Sequence, residues 1–359
     1  MAKREEESME KACMKGVKYL WESGVSRVPE KYIFPASDRP STNRLSMSTG
    51  TTISLPIIDL SLLQTSNRIQ GLESIAKACE EHGFFQVINH GVPCDVIHDM
   101  IDVSRQFFEL PLEERAKYMS GDMSAPVRYG TSSNQNKDDS FCWRDFLKLN
   151  CQPLENLVPH WPSSPGYFRQ KTKAYAEQMK SLFMMLIKAT IESLGPVIMD
   201  DFLRREFEEG SQLMVINCYP PCPQPELTLG SPPHTDYGFL TLLLQDGIPG
   251  LQIQFLGEWV TVEPILNAFV VNIGDFLEIF SNGRYKSVLH RVLVNSSQTR
   301  ISVASLHSLP INNVVCASPE LINEGNPKRY KGTNFSTYLK HLSSCELKKN
   351  NFLESIKLT

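Results

Sequence analysis

The sequence predicts a mostly β core with flanking α-helices, and three features carry that expectation. From Gln212 onward short apolar runs succeed one another: Leu213–Ile216, Leu240–Leu244, Leu251–Ile253, Trp259–Val262, Phe269–Ile273 and Ile301–Leu306. Gly, Pro, Asn and Asp separate these runs at short intervals, the texture of an antiparallel sandwich or barrel. Ahead of them, apolar residues recur at helical spacing instead. Finally, no GxGxxG or GxxxxGK[ST] string occurs, so nothing supports a dinucleotide-binding or P-loop sheet.

The first segment, residues 1–54, is expected to be a short amphipathic helix followed by a flexible linker. Pro29, Pro35, Pro40, Ser46 and Ser48 interrupt it, and Gly50 to Ser54 are small and polar. Residues 55–205 are expected to be mainly helical. They open on a short strand at Leu55–Leu60, followed by a helix over Leu72–His82 with Leu72, Ile75, Ala76 and Cys79 on one face. Gly83–His90 switches to strand, and Cys94–Phe108 returns to helix until Pro111 stops it. The longest helix is expected over Tyr167–Leu194, where Tyr175, Met179, Leu182, Met185 and Leu186 form a core-packing stripe closed by Gly195-Pro196. The β core is expected over 206–345, and 346–359 reads as a C-terminal tail.

Net charge is −4, so no broad basic footprint points to nucleic acid or an anionic membrane, and a small-molecule substrate is the expected partner. No apolar run reaches the length of a membrane span, and the charged start lacks a signal-type stretch. A cytoplasmic monomer is therefore expected. Nine cysteines without a CxxC pair read as buried small hydrophobes.

The chemistry concentrates in two places. In His234-Thr235-Asp236 the imidazole and carboxylate are two apart, so on a strand they point to one face and can share a metal. A third ligand must come from another strand, and His290 is the candidate. Two imidazoles and one carboxylate leave three positions of an octahedron open, which suits an iron(II) oxygenase. Ten residues on, Arg300-Ile301-Ser302 offers a guanidinium fork and a hydroxyl on one face, a natural carboxylate receptor. A metal open on one side, with such a receptor nearby, describes a site for a chelating keto acid.

The ordered strings Asn217-Cys218-Tyr219-Pro220-Pro221-Cys222-Pro223, His234-Thr235-Asp236, Asn272-Ile273-Gly274-Asp275, Ser281-Asn282-Gly283, Tyr285-Lys286-Ser287, His290-Arg291 and Arg300-Ile301-Ser302 resemble the plant 2-oxoglutarate- and iron(II)-dependent dioxygenases. Gly83 to Gly91, reading GFFQVINHG, is similar to the same family's N-terminal signature. Cys218 departs from the aromatic residue many members carry. The resemblance spans about residues 55–345. It implies a double-stranded β-helix (jelly roll) in which Tyr219 and Asn217 help Arg300 and Ser302 hold 2-oxoglutarate. It also implies Fe(II) at His234, Asp236 and His290, dioxygen as co-reactant and ascorbate as reductant.

The implied reaction hydroxylates, or otherwise oxidises, a small apolar metabolite of phenolic or hormone-like type, yielding succinate and carbon dioxide. By the same resemblance Phe141, Trp143, Val215, Tyr237 and Leu306 are expected to wall the substrate cavity. Two other readings fit the motifs: an iron oxidase of this fold that uses no 2-oxoglutarate, and a non-catalytic small-molecule-binding protein. His90, at the end of a strand before a turn glycine, is expected to be structural. His307 is five residues past Ser302 and is expected to face away from the site.

Overall fold

The computed structural model describes residues 12–40, 54–131, 139–195, 201–344 and 352–358. Twelve strands are found among them: β1 (Ile57–Asp59), β2 (Phe84–Ile88), β3 (Val127–Gly130), β4 (Asp145–Asn150), β5 (Gln212–Tyr219) and β6 (Ser231–His234), then β7 (Leu240–Gln245), β8 (Leu251–Phe255), β9 (Glu258–Thr261), β10 (Phe269–Ile273), β11 (His290–Val292) and β12 (Arg300–His307). Eight of them form one sheet in the order β1-β2-β10-β7-β12-β5-β4-β3, and four form a second in the order β6-β11-β8-β9. Pairing is antiparallel throughout except between β1 and β2. This is the jelly-roll core that the run of short apolar segments predicts.

Alternation along each strand decides what lies on either side of the large sheet. On β5, Met214, Ile216 and Cys218 point into the main core, while Val215, Asn217 and Tyr219 line a cavity facing the small sheet. On β12, Ile301 and Val303 face that core, and Arg300, Ser302, Ala304 and Leu306 face the cavity. This is the two-residue period of a pleated strand.

Helices flank the sheets, among them α1 (Val17–Glu22), α2 (Arg68–Glu81), α3 (Cys94–Glu109), α4 (Phe168–Glu192), α5 (Asp275–Phe280), α6 (Phe335–Ser344) and α7 (Phe352–Ile356). Tyr175, Met179, Leu182 and Leu186 of α4 are buried against the large sheet, as the helical stripe predicts; Met185 is only half-buried. A second apolar layer joins the two sheets through Phe84, Leu251, Ile253, Val260 and Val270.

Two terminal expectations change. Through Pro40 the N-terminal segment is packed rather than linker-like, with Val17, Leu20, Tyr32 and Phe34 buried. The backbone N–H groups of Val17 and Lys18, at the open end of α1, donate to the buried Asp145 carboxylate at 2.9 and 3.1 Å. Those donors have no partner within a helix, and a carboxylate on β4 supplies one. Residues 1–11 and 41–53, where the rest of the expected linker falls, lie outside the described residues. At the other end the expected tail contributes α7, whose Phe352, Leu353 and Ile356 are buried. Apolar spacing over five residues is too short a signal to have distinguished that docked turn from a tail.

Candidate metal centre

His234 ends β6, His290 begins β11, and the two residues are direct partners in the antiparallel ladder. Asp236 follows His234 by two and turns toward the same space. Its Oδ1 lies 3.9 Å from His234 Nε2 and 3.7 Å from His290 Nε2, and all three candidate ligand atoms fall within 4.8 Å of one another. A cation set among them would meet two nitrogens and one oxygen on one side.

The groups behind the ligands decide which atoms are free. His234 Nδ1 lies 2.8 Å from the Pro232 carbonyl, and His290 Nδ1 lies 3.2 Å from the Val288 carbonyl. A carbonyl only accepts, so each Nδ1 carries the proton and each Nε2 presents a lone pair. Asp236 Oδ2 accepts from the Asn272 amide at 2.9 Å, which leaves Oδ1 for the cation. Phe84 packs edge-on against the His290 ring at 5.4 Å.

Electrostatics act in the same direction. Burial, and then the neighbouring His290 ring, push His234 below the ordinary imidazole range and favour its neutral form. Burial acts to raise Asp236, but the imidazoles of His290 and His234 and the Asn272 amide outweigh it, leaving the carboxyl below its usual range. A neutral His234 and an ionised Asp236 are in the protonation states that ligate metal. Asp275, behind this group, is pushed up to about 7 by burial, against hydroxyl donors from Ser287 and Thr235.

The cavity beside the triad has room of about 150 Å³. Arg300 enters it almost fully buried, with Nε donating to the Ile248 carbonyl at 3.0 Å and Nη2 to Gln245 Oε1 at 2.7 Å. Its remaining nitrogen is 3.4 Å from Ser302 Oγ, and the guanidinium stands 5.1 Å from the centre of the Tyr219 ring. Among the described residues no carboxylate lies within ion-pair distance of it; its direct acceptors are neutral, with the Asp246 carboxylate near enough to act on it through space. Asn217 also lines the cavity; its Oδ1 is buried without a partner among the described residues, and its amide nitrogen donates to the Val215 carbonyl at 3.3 Å. A buried cation with no carboxylate in ion-pair contact fits the far carboxylate of a dicarboxylate chelating a metal at the triad.

Not every expected wall residue lies here. Val215 and Leu306 line the cavity with Leu243, Leu251, Val292 and Ala304. Phe141 and Trp143 do not: they pack on the N-terminal segment, with Tyr32 ring centres 5.6 and 5.5 Å away. Backbone bonds from Phe141 N–H to Lys31 and from Trp143 N–H to Leu229 set this orientation, and the indole donates to Pro220. The two rings do share a side, but it is the far side; Arg144, of opposite parity, is the residue that lines the cavity. Tyr237 also points away, stacking among Phe335, Tyr338 and Phe276, because it follows the inward-facing Asp236 by one residue.

His90 is structural, its Nε2 donating to the Asn267 carbonyl at 2.8 Å and its Nδ1 accepting from Val92 N–H. His307 is fully buried, stacked on Phe183 at 4.4 Å and bonded to Ser305. Six of the eight described cysteines are buried and all eight are free. Among the described residues no helix is long and apolar enough to cross a membrane.

A jelly roll with a two-histidine, one-carboxylate cluster opening on a cavity with a buried arginine defines the class of non-haem metal oxygenases. The comparisons with known proteins narrow it. The 2OG-Fe(II) oxygenase superfamily profile matches residues 210–308, and that of the non-haem dioxygenase in morphine synthesis N-terminal region matches 55–164. Protein DMR6-LIKE OXYGENASE 2 of Arabidopsis thaliana is 40% identical over 93% of this chain and 95% of its own length. Flavanone 3-dioxygenase 2 of Oryza sativa subsp. japonica is 40% identical over 91% of this chain and 93% of its own. The crystal structure of JOX2 in complex with 2OG, Fe and JA superposes with a TM-score of 0.84 at 32% identity, covering 96% of this chain and 98% of that one. The chain therefore belongs to the 2OG-Fe(II) oxygenase superfamily, as an enzyme that uses iron(II) and 2-oxoglutarate.

Proposed function

We propose that His234, Asp236 and His290 hold iron(II), and that Arg300 and Ser302, with Tyr219 and Asn217, receive the far carboxylate of 2-oxoglutarate. The substrate oxidised beside them is a small, mostly apolar metabolite of phenolic or hormone-like type, and hydroxylation is the default outcome. One observation carries the reading: both imidazoles turn proton-free nitrogens toward the same Asp236 oxygen, beside a buried arginine with no carboxylate in ion-pair contact among the described residues. When bound, iron(II) activates dioxygen while 2-oxoglutarate gives up two electrons as it becomes succinate and carbon dioxide.

This chain's own contribution is placement. Pro232 and Val288 fix the histidine tautomers, and Asn272 fixes which carboxylate oxygen is free. Val215, Leu243, Leu251, Val292 and Leu306 form an apolar wall that excludes water and favours a flat or alicyclic acceptor. The flavanone of one relative's name and the JA of the superposed complex support an acceptor of that size. Ascorbate as reductant, a monomeric state and a cytoplasmic setting complete the proposal.

The test is an anaerobically loaded enzyme given oxygen, 2-oxoglutarate and a panel of phenolic and hormone-like acids. Succinate formation with a product heavier by one oxygen is expected. Oxidation without succinate would favour the oxidase that needs no 2-oxoglutarate, and metal-independent binding without turnover would favour the carrier reading.

A further inference from the structure

The two ligand-bearing segments reach the metal centre from different strands, and β6 and β11 pair over only a few residues with an irregular register. Something else must hold them at ligand distance. The start of α5 does so from behind. Asp275 N–H donates to the Asp236 carbonyl at 2.8 Å, Phe276 N–H to the Gly238 carbonyl at 2.9 Å, and Gly274 N–H to the Phe239 carbonyl at 3.0 Å. The contact is close: a β-carbon on Gly274 would stand 2.4 Å from the Gly238 oxygen, so only glycine fits.

The Asp275 side chain then spans both arms. Its Oδ2 accepts from Thr235 Oγ1 at 3.2 Å, and its Oδ1 from Ser287 Oγ at 2.7 Å. Thr235 is the middle residue of the first ligand pair, facing away from the cavity because its neighbours face in. Ser287 leads into His290, and its own N–H is fixed to Glu278 Oε2 at 2.6 Å. Asp275 is fully buried while Thr235 and Ser287 are half-buried, so the accepting end of each bond is withdrawn from water.

We propose that Asp275 is a positioning residue: a carboxylate buckle that ties Thr235 to Ser287 and thereby sets the distance between the His234–Asp236 pair and His290. This inference rests on the ligand assignment proposed above. Unlike Asn272, which selects one oxygen of one ligand, the buckle acts on the spacing between ligands. Loss of such outer partners typically weakens metal affinity about 10–100-fold, without removing any ligand atom.

The test titrates iron(II), and cobalt(II) for its visible spectrum, into the metal-free protein under nitrogen and follows apo melting temperature in parallel. Thr235→Val and Ser287→Ala each cut one arm with little change in volume. Each should weaken metal affinity about tenfold and shift the cobalt spectrum, with the apo melting temperature near wild type. Thr235→Ser, which keeps the hydroxyl, should restore both. Combined with Asp275→Asn, either cut should be less than additive, because all three lesions act on one connection. Unchanged affinity and spectrum in both single variants, with or without lost stability, would overturn the buckle. His290→Ala serves as the separate control: if it binds metal as wild type does, the ligand assignment itself fails and the buckle falls with it.

Discussion

Asp145 and Asp236 are both carboxylates withdrawn from bulk water, and they do opposite work. Asp145 is completely buried, and both its oxygens are consumed: Oδ1 by Val17 N–H, and Oδ2 by Lys18 N–H and by the Tyr129 hydroxyl at 2.9 Å. Arg115 stands close behind, bonded to Tyr129 and Glu22. Burial still holds Asp145 above the usual carboxylate range. Asp236 has one oxygen bonded to Asn272 and leaves the other facing two imidazole nitrogens that carry no proton. A buried carboxylate whose oxygens are filled by donors is a structural clamp. One that keeps an oxygen facing other lone pairs is a cation site.

The sharpest way to break this comparison is to remove the ligands. His234→Ala, Asp236→Ala and His290→Ala should each abolish turnover and iron binding while the apo protein keeps its fold, as read by circular dichroism and melting temperature. A variant that retains most of its iron-dependent activity would leave the triad.

Asp145→Ala should do the reverse. It strands three buried donors, the N–H groups of Val17 and Lys18 and the Tyr129 hydroxyl, each a loss of about 1–3 kcal/mol when left unpaired. Chemical denaturation should show that loss and proteolysis should find residues 12–34 loosened, while iron affinity of the folded fraction stays near wild type. Lost metal affinity with unchanged stability would erase the distinction between the two carboxylates.

Arg300→Lys is expected to raise the KM for 2-oxoglutarate. Lysine keeps the charge but loses the planar fork, worth about 1.5–3 kcal/mol for a charge-assisted bond, or roughly ten- to a hundred-fold. An unchanged KM would place the cosubstrate's far carboxylate elsewhere.

The smallest effect separates cavity wall from core. Leu306→Ala should shift acceptor KM or product distribution several-fold with the 2-oxoglutarate KM intact. Trp143→Ala should instead cost about 3–5 kcal/mol of stability with an unchanged product pattern. Reversed phenotypes would return Trp143 to the cavity.

Periodicity and motif spacing determine much of this protein without coordinates. The strands from Leu213 to Leu306, the helices α2, α3 and α4, and the shared facing of His234 and Asp236 follow from intervals of two and about 3.6 residues; His290 is expected beside them by family resemblance, and the pairing of β6 with β11 brings it there. Those intervals also place Arg300, Ser302 and Leu306 on one face, because β12 runs regularly over all of them. Intervals give relative facing only. Phe141 and Trp143 lie outside any regular strand, so nothing local says which side their shared face meets; contacts with Lys31, Tyr32 and Leu229, far off in sequence, decide it. Asn272, Asp275, Thr235 and Ser287 stand in family-like strings, but what each one bonds to appears only where the fold stacks α5 behind the ligands. The docking of α1 on Asp145 is likewise a contact across 128 residues. Local periodicity records which way a side chain faces along its own strand or helix, whereas a hydrogen-bond partner distant in the chain leaves no period to read, and only the tertiary structure supplies it.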